Sequence, residues 1–261
     1  MGSALTTIGL PVALGFIMLG LGLSLTPADF ARVARHPRAV LVALGVQLLV
    51  LPAICFGLVH LFALPPVLAV GMMLLAASPG GTTANLYSHL FRGDVALNIT
   101  LTAVNSVIAV VTLPVITNLA IAVFVPGDAT LGVQLGKTLE VFAIVLAPVL
   151  LGMLVRRWRP AFATAMDRPV RIASAVILVV VIVGAVLANR ELFAANIASL
   201  AGVTVTFCLI SLTLGFVVPR AVGVGRRQAI ACSFEIGIHN ATLAIVIAQT
   251  VVGSEQMSLP A

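Results

Sequence analysis

An all-α polytopic membrane protein is the fold class that this sequence predicts, on three observations. Of its 261 residues 61% are hydrophobic and only 8% charged, with a mean hydropathy of +1.22. Soluble chains carry about 25% charged residues, and no soluble domain of this size could bury so much apolar surface. The apolar residues fall into eight runs, each near the roughly 20 residues that a helix needs to cross a bilayer. Finally, 12 of the 14 Lys and Arg lie on alternate connections between those runs.

The runs fall near residues 5–25, 39–61, 67–90, 95–124, 131–155, 171–188, 196–219 and 228–251. Short connections rich in Pro, Asp, Arg or Gly separate them, among them Thr26-Pro27-Ala28-Asp29, Leu64-Pro65-Pro66, Arg92-Gly93-Asp94 and Pro126-Gly127-Asp128. The fourth run is long for one span, so it is expected to tilt or to continue past the interface. Met1-Gly2-Ser3 has no basic stretch ahead of its apolar run, and a cleaved signal peptide is not expected. The chain reads as one transmembrane domain of two halves, about 1–125 and 130–261, with a last span missing from the second.

Arg32, Arg35 and Arg38 follow the first span, Arg92 the third, Arg156, Arg157, Arg159, Arg168 and Arg171 the fifth, and Arg220, Arg226 and Arg227 the seventh. By the positive-inside rule these connections are cytoplasmic, with the N-terminus outside and the chain in the inner (plasma) membrane. The net charge of +6 and pI near 10.6 thus serve topology, and nucleic acid is excluded as a partner. Cys55, Cys208 and Cys232 stand singly in apolar runs and match no metal or disulfide spacing.

Two spans are interrupted. Ser78-Pro79-Gly80-Gly81-Thr82-Thr83-Ala84-Asn85 lies inside the third run, where proline removes a backbone donor and two glycines weaken the helix. Ser233-Phe234-Glu235-Ile236-Gly237-Ile238-His239-Asn240 answers it 155 positions later. Broken backbone at membrane depth survives only inside protein or beside a watery cavity. Interrupted spans at corresponding positions of two halves point to a transporter binding site in an inverted repeat.

Glu235 is the most informative single residue. A carboxylate in mid-span costs at least ~2.5–3.5 kcal/mol on insertion scales, so it faces a cavity, a partner or an ion. A protonated, hydrogen-bonded Glu would be structural; a cation ligand is the better reading, because hard cations take oxygen donors. Asn98, Thr102 and Asn105, at i, i+4 and i+7, share one face of the helix after the first break. Such polar residues act either as interhelical glue or as the lining of a site, and the same choice applies to Gln47. The half-helix N-termini after each break present free N–H groups that favour an anion. Thr82, Thr83, Asn85 and Asn240 are suited to line that place, and Asn105 is counted with the substrate-binding residues.

His239 lies four residues after Glu235, so a metal site or a proton relay on one helical face is conceivable. A metal centre would need further ligands, which the neighbouring sequence does not supply. His36, His60 and His89 sit at span ends, and Lys137 with Glu140 reads as a structural pair.

Pro79-Gly80-Gly81-Thr82-Thr83-Ala84-Asn85, then Arg92-Gly93-Asp94-Val95-Ala96-Leu97, and later Glu235-Ile236-Gly237-Ile238-His239-Asn240 resemble the bile acid:sodium symporter family over nearly the whole chain. The resemblance implies a core domain with two crossed, broken helices and a separate panel domain. It also implies ten spans, of which this chain would begin at the second and stop before the tenth. By motif, one sodium site would use Ala84, Asn85, Asn98, Thr102 and Glu235. The other would use Gln47, Glu235, His239 and the carbonyls of Ile236 and Ile238. Ala84 stands where the family usually has Ser, and His239 where it has Gln, which leaves one or two sodium ions open and admits proton coupling. The implied function is sodium-coupled symport of an organic anion, a bile-acid-like molecule or small carboxylate, with no enzymatic activity and no organic cofactor. A non-translocating membrane receptor is the rival reading.

Overall fold

The structure, a computed structural model, describes residues 10–126 and 135–261. Among these residues regular structure is helical throughout, so the chain is an all-α membrane protein. The starts of the first and fifth expected spans and the Gly127-Asp128 turn lie outside the described residues, as do the side chains of Thr82, Lys137 and Glu140.

Helix α1 (Leu10–Ser24) leads into a short α2 (Pro27–Ala31) and a 3-10 turn (Arg32–Arg35). Sequence reading expected a plain connection here. The stretch is ordered by Asp29, whose Oδ2 accepts from both the backbone and hydroxyl of Thr26 at 2.7 Å, and by the Asp29–Arg32 ion pair. Helix α3 (Pro37–Leu61) matches the expected span. Pro52 offers no N–H to the carbonyl of Leu48, and the helix passes through a π turn at Val46–Val50 just before it.

The third run divides as expected, into α4 (Pro66–Ala77) and α5 (Thr82–Leu90). Leu68 to Ala77 are buried on every side of α4, which fits its uniformly apolar sequence. Helix α6 (Val95–Phe124) begins where Asp94 Oδ1 accepts from Leu97 N at 3.0 Å. Its 30 residues are about 45 Å long at 1.5 Å each, beyond the ~30 Å apolar slab, so tilt or overshoot follows. Helices α7 (Leu135–Trp158), α8 (Pro160–Ala188) and α9 (Arg190–Ala221) come next, and the last run splits into α10 (Arg226–Gly237) and α11 (Ala241–Val246), which continues as a π turn at Ile247–Val251.

Two expected boundaries are corrected. Helix α8 begins at Pro160, eleven residues before the expected 171, and α9 at Arg190 instead of 196. Counting apolar residues stops at Arg159, Arg168 and Arg171, but a helix satisfies its own backbone and continues beyond the apolar slab.

Lipid is as apolar as a leucine, so these helices are held by close packing. Helix α1 packs on α7 and α8, and glycine makes the approach possible: a Cβ on Gly22 would strike the Val149 carbonyl, and one on Gly152 the Leu19 carbonyl. Helix α9 lies on α10, where Ser233 Oγ donates to Leu212 O at 2.7 Å. Gly152→Leu is expected to lower stability by about 1–3 kcal/mol or more through overpacking, while Gly184→Leu, which meets nothing within 4 Å, should leave it unchanged. Melting of the two variants in detergent checks the contrast.

Candidate functional site

The two breaks pair with each other. Ser78–Gly81 and Ile238–Asn240 leave the helical path, and Gly80 faces His239 in an antiparallel bridge. Gly81 N donates to Ile238 O at 2.9 Å, and Asn240 N donates to Pro79 O at 2.8 Å. Each break thereby supplies the partners the other lacks. The remaining end of α4 is closed by Gln47, whose Nε2 donates to Ser78 O at 3.0 Å and Ala76 O at 3.3 Å. The two eight-residue stretches, matched Ser to Ser in the sequence, do not correspond that way in space. Ser78 opens the first break, whereas Ser233 lies within α10, and Pro79, Gly80 and Gly81 lie opposite Asn240, His239 and Ile238.

Glu235, one turn before the second break, is only 2% exposed. Its Oε2 accepts from Thr102 Oγ1 at 2.5 Å and its Oε1 from Gly80 N at 3.2 Å, and the side chain of Asn105 lies beside the same carboxylate. One carboxylate thus ties α10 to α6 and to the first break. Asn98, one turn before Thr102, donates from Nδ2 to Ala231 O at 2.7 Å, while its own carbonyl accepts from Thr102 Oγ1 at 3.1 Å. Of the expected polar stripe, Thr102 and Asn105 therefore face Glu235, while Asn98 reaches α10 one turn earlier, at Ala231. Among the described residues no lysine or arginine pairs with this carboxylate; the ion pair found is Asp29–Arg32.

Several buried polar atoms here have no partner: Gln47 Oε1, Asn85 Oδ1, Asn98 Oδ1 and His239 Nε2. An unsatisfied buried acceptor costs about 1–3 kcal/mol, so three amide oxygens near the breaks ask for a donor or a cation. All three belong to residues that the family resemblance implies around sodium. Hard cations take amide and carboxylate oxygens, and the donor set fits one.

The other expected residues are placed less uniformly. Ala84 is fully buried and offers no side-chain donor. The Ile238 carbonyl serves the bridge, and Asn240 N–H, the helical partner that Ile236 O would have had, goes to Pro79 instead. His239 lies beyond the end of α10 and packs on Phe207 with ring centroids 5.0 Å apart. The expected shared helical face with Glu235 is therefore not formed. Asn105 meets Glu235, Asn240 Oδ1 caps α11 by accepting from Leu243 N at 3.1 Å, and Thr83 is exposed.

The residue that sequence reading undervalued is Gly80. Its missing Cβ would overlap the Glu235 carboxylate, whereas a Cβ on Gly81 would meet nothing closer than 3.4 Å. Both glycines look alike as helix breakers, and nothing in the sequence marks which one the carboxylate touches.

Residues 11–196 match the model of the Sodium Bile acid symporter family. The chain belongs to that family. It is 36% identical over 113 residues to the Bacillus subtilis "Uncharacterized sodium-dependent transporter YocS", covering 43% of this chain and 34% of that protein. Over 252 residues it is 29% identical to "Probable sodium/metabolite cotransporter BASS1, chloroplastic" of Oryza sativa subsp. japonica, covering 95% of this chain and 60% of the other. With "Sodium/bile acid cotransporter 4" of Homo sapiens it shares 37% over 102 residues, 39% of this chain and 23% of that one. The chain spans less than two thirds of the length of each.

Gly80→Ala is expected to push the carboxylate off the first break and destabilise the protein by about 1–3 kcal/mol or more. Gly81→Ala, with extended backbone (φ −86, ψ 165) and only ordinary contacts from 3.4 Å outward, should be near neutral. Paired thermal melts of the two variants check this.

Proposed function

We propose that this chain forms the ion-binding part of a secondary active transporter that moves an organic anion inward with sodium by alternating access. The observation that carries the reading is a buried carboxylate, Glu235, beside amide oxygens that have no donor. A mid-membrane carboxylate without a basic partner is stable where a cation joins it. Asn98, Thr102 and Glu235 hold the ion, with Asn85 and the backbone at Ala84. A second ion is held by Gln47, Glu235, His239 and the carbonyls of Ile236 and Ile238. The names of the relatives, sodium-dependent transporter and sodium/metabolite cotransporter, support the class of reaction.

In this reading α4–α5 and α10–α11 are the crossed, broken spans of an inverted repeat, and α1, α7 and α8, packed together, are the panel against which the rest moves. Bound sodium satisfies the orphaned oxygens and fixes the two breaks against each other. The N-terminal amides of α5 then face the anion, a bile-acid-like molecule or a small carboxylate, with Thr82, Thr83, Asn105 and Asn240 as its proposed binding residues. Relative movement of panel and core exposes the filled site to the other side.

A variant of this reading has one sodium. It rests on His239, whose ring nitrogen stands unpartnered at the second break and whose imidazole suits a proton better than an alkali ion.

Uptake of a labelled carboxylate into sealed proteoliposomes under a sodium gradient tests the proposal. Accumulation that Glu235→Ala abolishes is the expected result; wild-type sodium dependence in that variant would refute the role of Glu235. Binding without accumulation would instead mark a receptor. Cooperative sodium dependence supports two ions, whereas uptake driven by a proton gradient until His239→Gln is introduced supports one.

A further inference from the structure

Three chain segments, 32–38, 91–94 and 220–228, are stitched together at one end of the helices. Arg38 Nη1 donates to Val222 O at 3.5 Å, Gln228 Nε2 lies 2.9 Å from His36 Nδ1, and Asp94 N donates to Arg227 O at 2.9 Å. Arg220 Nη1 closes the turn before α10 by donating to Val224 O at 2.8 Å, and Gly223, with φ +83, makes that turn possible. The surface so fixed carries Arg35, Arg38, Arg92, Arg220, Arg226 and Arg227, all exposed. Its nearby acids are already engaged, Asp29 by Arg32 and Asp94 by the cap of α6.

Topology alone does not require this arrangement. The positive-inside rule is served equally by Lys and Arg on mobile connections, yet thirteen of the fourteen basic residues here are Arg, and these six stand on connections held by hydrogen bonds. Guanidinium is the planar fork that matches phosphate oxygens two at a time, whereas lysine acts as a point charge. The surface lies at the end of the apolar helices α3, α6 and α9, where basic residues flanking a span meet lipid headgroups. We propose that it is a docking site for anionic phospholipid, which bridges the three segments and steadies the start of α10, the helix that carries Glu235. The proposal is independent of which ion or anion the protein moves.

The test is binding of the purified full chain to phosphatidylglycerol against phosphatidylcholine, by lipid retained through size exclusion and by the melting shift in detergent. Wild type should retain phosphatidylglycerol about tenfold over phosphatidylcholine, with a melting rise that high salt weakens. R38Q/R226Q/R227Q should lose both effects, and the same triple change to Lys should keep general attraction but lose most of the retained lipid. Equal retention of the two lipids by wild type would overturn the proposal, whatever the variants do. So would undiminished retention in the glutamine variant, or an equal melting rise with inorganic phosphate alone.

Discussion

Gly81 donates to Ile238 and Asn240 donates to Pro79, and the rest of the structure depends on this antiparallel pair of hydrogen bonds. Lipid offers no donors or acceptors, so a helix interrupted at membrane depth must find protein partners for the groups it releases. One break alone would leave several unsatisfied. Two breaks laid side by side supply each other, and Gln47 answers the carbonyls of Ala76 and Ser78 that remain. The cost of breaking a span is thereby removed without closing the site off from ligands, since Gln47 Oε1 and Asn85 Oδ1 are still open.

Glu235 gains its importance from that pairing. Its carboxylate reaches Gly80 N only because the first break passes directly over it and has no side chain there. Through Thr102 and Asn105 the same group reaches α6. A cation arriving at the carboxylate therefore acts on three elements together: the break, α6 and α10. In the proposed function this is the route by which a small monovalent ion would govern the relation of two half-helices, provided its affinity differs between the two arrangements it links.

Much of this was legible in the sequence. Apolar run length located α3 and α6 closely, Pro79-Gly80-Gly81 located the first break, and the spacing of Asn98, Thr102 and Asn105 placed them on one face, which meets α10 at Ala231 and Glu235. What was not legible has physical causes. Hydropathy stops at arginine but a helix does not, so the start of α8 was placed eleven residues late. The second break carries no proline, and reading it by analogy with the first put it too early, inside what is the last turn of α10. His239 was set on a helical face that ends before it is reached. The contrast between Gly80 and Gly81 depends on a contact between residues 155 apart, which local sequence does not encode.

Amide hydrogen exchange at the two breaks, compared in sodium and in potassium at equal ionic strength, tests the central claim most directly. If sodium binds Glu235 and joins the breaks, exchange across residues 78–85 and 235–243 slows in sodium but not in potassium, and the difference vanishes in Glu235→Gln. Equal exchange in the two salts, or protection by sodium that survives loss of the carboxylate, would contradict the account.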